Sequence, residues 1–373
     1  MKTMLSGGLV FQNGAYLENA SVIWENGTIL AVGCACEAMQ ADARIDAKGC
    51  LILPGLIDVH THGRGGYDFI TATESQLRDM KADYARHGVT ALFPTLATAE
   101  LSAWMQAIER IEACGFDGIH LEGRYLNPAK RGAHSDLLLT RPDAKELDSL
   151  LDRVSIPCHV SAAFEMDADG SFAACAKRHG ATMGLGHTAA TAEQTKTAMA
   201  RGVVSFTHLF NAMPPLHHRE GGPIGVALGG VGYGELIVDG LHISPDVVKL
   251  AYRALGTART VLITDSMEGT GCADGEYSIA GQRVTLQNGR AVTAYGALAG
   301  STLDLWQGVK NLMRFADIPL TDAIVCATET PARMVGIFDR VGSIDPTKRA
   351  DLMLVDPETL TLCGVIAGGE QIL

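Results

Sequence analysis

Histidine and carboxylate side chains recur at the ends of apolar runs in this chain. The first run closes in Asp58-Val59-His60-Thr61-His62, just before a Gly-rich turn. On a β-strand, side chains alternate faces with period two, so His60 and His62 point the same way. Two imidazoles side by side are half of a metal cage. A lone His-x-His reads equally well as a polar, solvated strand end. The later runs bear on that choice. GIHLEG carries Glu122, MGLGHT carries His187, VSFTHLFNAM carries His208, IVDGLH closes on His242 and VLITDS carries Asp265. Singly, each has a plain explanation: Asp265 could cap a helix, and Glu122 could be a surface charge. Together they favour a site. Neutral imidazoles and carboxylates bind zinc and similar divalent ions. A carboxylate beside such an ion is a natural general acid or base for water.

The middle of the chain has the pattern needed to bring these residues together. Residues 51–340 alternate apolar runs (51–59, 89–94, 118–122, 157–162, 182–187, 203–209, 235–241 and 260–265) with helix-like stretches such as 74–87, 101–113, 142–153 and 192–201. Strand then helix, repeated, gives parallel strands with crossover helices, and eight units close into a barrel. The competing architecture, an open doubly wound sheet, would want a Gly-x-Gly-x-x-Gly fingerprint after the first run, and none follows. In a barrel, strand ends share one face, where such enzymes keep their chemistry. Residues 275–292 add a hairpin-like piece, and 302–315 and 321–328 read as closing helices. Both chain ends read as short strands and turns, with Glu25-Asn26-Gly27 as a hairpin signal. Neither end could build its own core. The expected fold is an α/β (β/α)8 TIM-like barrel at 51–340, with a small β-sandwich domain formed by both chain ends, 1–50 and 341–373.

Composition narrows the partners. The net charge of −12 over 373 residues argues against nucleic acid. An anionic substrate would need a local cationic pocket. No stretch of about 18 uncharged apolar residues predicts a membrane helix. The start, MKTMLSGGLVFQNG, lacks an apolar signal core, and nine scattered cysteines read as reduced thiols. The expected location is the cytoplasm, with no membrane partner.

Pro54-Gly55-Leu56-Ile57-Asp58-Val59-His60-Thr61-His62 resembles the first-strand signature of the amidohydrolase superfamily. More narrowly, the chain resembles the N-acetylglucosamine-6-phosphate deacetylases. HLEGRYLNPAKRGAH (120–134), GHTAAT (186–191), THLFNAMP (207–214), HREG (218–221), DGLHI (239–243), TDS (264–266) and LAGS (298–301) carry the likeness, in the family's order. The tail, GSI at 342–344 with KRADL at 348–352, resembles the superfamily's return into its small β domain. His-x-His alone marks the superfamily; HLEG…KRGAH with THLFNAMP is far more specific.

The resemblance implies one or two divalent metal ions, zinc first, with iron, manganese or cobalt also suited. Glu122, His187 and His208 would hold the main ion. His60 and His62, with Glu122 bridging, would hold a second. Asp265 would be the acid/base, taking a proton from the attacking water and delivering one to the leaving amine. The metal and His242 are candidates to stabilise the amide oxygen. Ala133, His134, Asn211, Ala212 and Arg219, with the turn Leu298-Ala299-Gly300, match positions that contact sugar and phosphate. Arg219 suits a phosphate, which a guanidinium binds in bidentate fashion, and in relatives the matching Arg can reach the neighbouring subunit's site, implying a homodimer. The expected reaction is removal of acetate from an N-acetylhexosamine 6-phosphate, N-acetylglucosamine 6-phosphate first. Alternatives are the galactosamine isomer, another amidohydrolase, or a sugar-phosphate binder without catalysis. One departure stands out. Many relatives have Pro two residues after the metal-binding Glu, where this chain has Arg124. That Arg could pair with Glu122 and weaken metal binding, enter the pocket and alter substrate choice, or turn outward and do nothing.

Overall fold

The computed structural model describes residues 1–373, apart from the side chain of Glu37. Eight parallel strands form its centre: β1 Leu56–Thr61, β2 Val89–Leu96, β3 Ile119–Glu122, β4 Cys158–Ala162, β5 Thr182–Leu185, β6 Ser205–Phe206, β7 Tyr233–Ile237 and β8 Thr260–Ile263. They pair in sequence order. Eight helices accompany them: α1 Glu74–Arg86, α2 Leu101–Ala113, α3 Ala144–Leu151, α4 Ser171–Arg178, α5 Ala192–Ala200, α6 Gly222–Leu228, α7 Pro245–Leu255 and α8 Leu305–Ala316. This is the expected eight-fold barrel.

Local sequence chemistry explains where the helices begin. Thr73 and Gln76 form a reciprocal capping box at α1, and Thr191 and Gln194 repeat it at α5. Asp143 accepts from the backbone N–H groups of Lys145 and Glu146 to start α3. Alternate strand residues then face these helices. Leu92, Leu121, Val160, Leu185, Leu236 and Leu262 share one apolar cluster with Leu77, Met80, Trp104, Ile108, Leu147 and Val248 from the helices.

The barrel closes between β8 and β1 without a regular ladder. At the upper end Asp265 N–H donates to His60 C=O (2.8 Å) and His62 N–H to Ser266 C=O (2.7 Å). At the lower end the strands part. The turn after helix Leu320–Val325 fills the gap: Ile57 N–H donates to Ala327 C=O and Leu262 N–H to Cys326 C=O. Closure therefore binds the β1 histidines to Asp265 through the backbone.

Both chain ends build the small β domain. One sheet has the order 28–33, 21–25, 2–6, 43–46; the other 370–371, 362–367, 352–355, 51–54, 9–12, 15–17. Leu5, Val22, Trp24, Ile52, Leu352 and Ile366 share its core. The run at 51–59, read from sequence as one barrel strand, is two strands. Leu51–Pro54 pairs with Leu352–Val355 and with Leu9–Val10, and β1 starts after Gly55. A Cβ on Gly55 would lie 2.1 Å from Thr90 Oγ1, so the crossing needs glycine. Residues 275–292, read as a hairpin, lie in a three-stranded meander, Gly275–Ile279, Gln282–Gln287 and Arg290–Thr293. No helix among the described residues is long and apolar enough to cross a membrane.

Arg349 ties the returning tail to the barrel. It pairs with Asp351 at 2.6 Å and with Asp117, and donates to Thr90 C=O on β2. Asp117 in turn accepts from Leu92 N–H. Both carboxylates are buried, while about a third of the Arg349 side chain is exposed, so screening moderates the loss. Arg349→Met is expected to lower unfolding free energy by about 2–3 kcal/mol. Urea denaturation checks this, and a change under about 0.5 kcal/mol would show that the tether contributes nothing.

Candidate metal centre and pocket

Glu122 ends β3 with its carboxylate inside the barrel mouth. Oε1 lies 3.0 Å from His208 Nε2 and 3.3 Å from His187 Nε2. Oε2 lies 3.1 Å from His62 Nε2 and 3.3 Å from His60 Nε2. Asp265 Oδ1 approaches the same pair, 3.2 Å from His62 and 3.5 Å from His60. All six residues are buried. The backbone is bent to achieve this. His187, His208 and Asp265 have φ of 46°, 34° and 50°, left-handed values that cost a non-glycine residue about 1–3 kcal/mol each.

The donor set fits a divalent cation. His187 Nδ1–H donates to Lys130 C=O at 2.8 Å, which leaves a lone pair on Nε2. That atom lies 3.0 Å from His208 Nε2. His60 Nε2 is buried without a hydrogen-bond partner. Burial opposes charge on His62, yet Asp265 and Glu122 push its pKa up to about 9. Burial would also raise Glu122, but the imidazoles, His60 foremost, hold it well below the usual carboxylate range. Two buried carboxylates thus draw positive charge to this spot. His60, His62 and Glu122 offer three atoms close enough to share one ion. Glu122, His134 and His187 are as close, but Thr98 N–H occupies the His134 Nδ1 lone pair and leaves the hydrogen on Nε2, which takes His134 out of that set.

A cavity of about 370 Å³ opens above the cage. His62, Glu122, His187, His208 and Asp265 form its floor, and Ala133, His134, Asn211, Ala212, His242 and the turn Leu298-Ala299-Gly300 line it. Burial and the neighbouring His187 push the His134 pKa down to about 3, so that ring is neutral. Thr98 N–H donates to its Nδ1, which puts the ring hydrogen on Nε2. His242 Nδ1–H donates to Asp239 at 2.6 Å; although burial works against it, this bond raises the His242 pKa. Glu165 fastens the loop behind His187, accepting from Thr188 Oγ1, Ala189 N–H and Asn127 Nδ2.

Two expected site residues do not line the cavity: His60, which sits beneath its floor against Glu122, and Arg219, which lies away from the cage. Arg219 is exposed, with its guanidinium 2.9 Å from His218 Nε2. Two cations not singled out from sequence, Lys130 and Arg131, line the wall instead. Their signal was the KR preceding Gly-Ala-His. Arg124 turns away from the cage. Its guanidinium makes two 3.0 Å bonds to Glu146 on α3 and one to Ala99 C=O. None of the three options read from sequence holds as stated: Arg124 leaves the cage and the pocket alone, but it is buried and pairs with Glu146.

Residues 51–370 match the model of the amidohydrolase family. The chain is 34% identical over 354 residues to the N-acetylglucosamine-6-phosphate deacetylase of Vibrio furnissii, covering 90% of this chain and 86% of that protein. It is 35% identical to the Bacillus subtilis enzyme of the same name, covering 84% and 83%. The chain belongs to the N-acetylglucosamine-6-phosphate deacetylases of the amidohydrolase family. This family is metal-dependent. The N-acetylgalactosamine-6-phosphate deacetylase of Escherichia coli O157:H7 is also similar, 36% identical over 317 residues, covering 82% and 84%. Among solved structures, an aspartate-to-alanine variant of the Mycobacterium smegmatis N-acetyl-D-glucosamine-6-phosphate deacetylase, in complex with N-acetyl-D-glucosamine-6-phosphate, superimposes with a TM-score of 0.92 at 30% identity, covering 100% of this chain and 99% of that one.

Because Arg124 serves α3 and not the cage, Glu146→Ala is expected to cost about 1–3 kcal/mol of stability and to leave zinc affinity unchanged in chelator competition. A loss of about tenfold or more in affinity would instead join Arg124 to the metal shell.

Proposed function

We propose that the protein removes the acetyl group of N-acetylglucosamine 6-phosphate by hydrolysis, giving acetate and glucosamine 6-phosphate. The observation that carries this is the two-sided Glu122 cage, with Asp265 at its edge, on the floor of a cavity lined by Lys130 and Arg131. The relatives' names support the same chemistry.

Glu122, His187 and His208 would hold the main ion, and His60 and His62 would share Glu122 with a second. Zinc suits this oxygen and nitrogen set, and so do iron, manganese and cobalt. When bound, a divalent ion polarises the amide carbonyl and lowers the pKa of water toward about 7. Asp265 takes the proton of the attacking water, and the same carboxyl then delivers a proton to the amide nitrogen as the C–N bond breaks. Its distance to His62 Nε2, 3.2 Å, keeps the carboxylate turned toward the cage. His242, braced through Nδ1 by Asp239, would stabilise the developing oxyanion when its Nε2 carries a proton. His134 donates from Nε2 to the sugar, and Lys130 and Arg131 supply the charge that a phosphate needs in so acidic a chain.

Arg219 stands exposed outside its own chain's cavity, as a residue serving a neighbouring subunit would, and a homodimer follows from that reading. None of the nine cysteines is in a disulfide, which supports a cytoplasmic setting. The galactosamine isomer is the second reading, on the strength of the Escherichia coli relative.

Acetate release from both sugar phosphates, with zinc, iron, manganese or cobalt supplied, tests the proposal. The glucosamine isomer is expected to turn over faster, and Asp265→Asn to lower kcat by about 10²–10⁴-fold with substrate binding retained. Binding of either sugar without turnover under any metal would make the protein a binder. An Asp265→Asn variant at full rate would remove Asp265 from the chemistry.

A further inference from the structure

The barrel interior beneath the cage is polar where branched apolar side chains are usual. His60, His120, His159 and Glu235 meet there, all without exposure. Rings of His60 and His120 lie 4.6 Å apart, and those of His120 and His159 5.0 Å apart. Hydroxyls complete the layer. His120 is held between Thr95 Oγ1 (3.1 Å) and Ser161 Oγ (2.7 Å), and His159 Nδ1 meets Thr182 Oγ1 at 2.9 Å.

Glu235 is the carboxylate that faces the His60 and His159 rings. A fully buried, uncompensated carboxylate costs several kcal/mol, so its partners define its role. Oε1 accepts from Ser205 Oγ–H at 2.9 Å and lies 3.5 Å from His159 Nε2. Oε2 has no hydrogen-bond partner, and its nearest ring atom is His60 Nδ1 at 3.5 Å, which likewise has none. A small ring rotation joins these two atoms. A neutral imidazole carries one N–H and one lone pair. A carboxylate at Nδ1 selects the Nδ1–H form and puts the lone pair on Nε2, the atom that faces Glu122 and Asp265. His62 Nδ1 and His208 Nδ1 have no such partner.

We propose that Glu235 is the positioning residue that turns His60 into a ligand, and so decides whether the His60–His62 side of Glu122 holds an ion of its own. This rests on the metal-centre reading above. Carboxylates behind ligating histidines tune affinity by about 10–100-fold.

The test is zinc stoichiometry and affinity, by elemental analysis after dialysis and by chelator competition, on wild type, Glu235→Gln and Ser205→Ala. Glu235→Gln keeps the shape. Ser205→Ala disturbs the same layer but leaves the carboxylate facing His60. Wild type and Ser205→Ala are expected to bind two ions. Glu235→Gln is expected to bind the first ion normally and the second about 10–100-fold more weakly. Equal affinity for both ions in Glu235→Gln overturns the proposal, as does loss of both together. A wild type binding a single ion overturns it while sparing the main centre. A wild type binding none overturns the metal-centre reading with it.

Discussion

Glu122 turns each of its two oxygens to a different pair of imidazoles, His187 and His208 on one side, His60 and His62 on the other. Asp265 brings a second carboxylate against the same His62. Two acids this close, both buried, repel and lose solvation; a buried carboxylate alone costs several kcal/mol. The imidazoles can answer that by holding a proton, as the raised His62 pKa shows, or by offering their lone pairs to a divalent cation that carries the charge instead. The mouth of the barrel is thus built around a positive charge, and the surrounding architecture keeps the donors aimed at it.

That aim is maintained against strain. His187, His208 and Asp265 sit at left-handed φ where the chain leaves its strands. Each is fixed by a main-chain bond: Asn127 N–H to His187 C=O, Asn211 N–H to His208 C=O, and Asp265 N–H to His60 C=O. The last of these also closes the barrel. The strands can hold such geometry because their outward faces are packed against helices in a continuous apolar cluster. The strands therefore carry both packing and chemistry, on opposite faces. The inner face then needs its own polar compensation, which the hydroxyl and imidazole layer under the cage supplies.

Much of this was legible from the chain. Period two placed His60 and His62 together, and polar residues closing successive apolar runs marked one face of a barrel. What stayed hidden shares one cause: pairing over long separations leaves no local trace. Leu51–Pro54 and β1 read as one strand because both halves are apolar and fully buried; the change of sheet at Gly55 follows from Thr90, distant in sequence. The direction of Arg124 was open because its partner Glu146 lies on another element. Glu235, His120 and His159 passed unremarked as polar residues within apolar runs. Parity held the clue, since His120 shares a face with Glu122. Arg219 shows the opposite limit, because its expected role concerns a second chain.

The most direct measurement is anomalous diffraction at the zinc edge from crystals of the zinc-loaded protein. The account predicts a peak about 2.0–2.2 Å from Glu122 Oε1, His187 Nε2 and His208 Nε2 together. A peak that leaves Glu122 uncoordinated, or no peak in the barrel mouth at all, would contradict it.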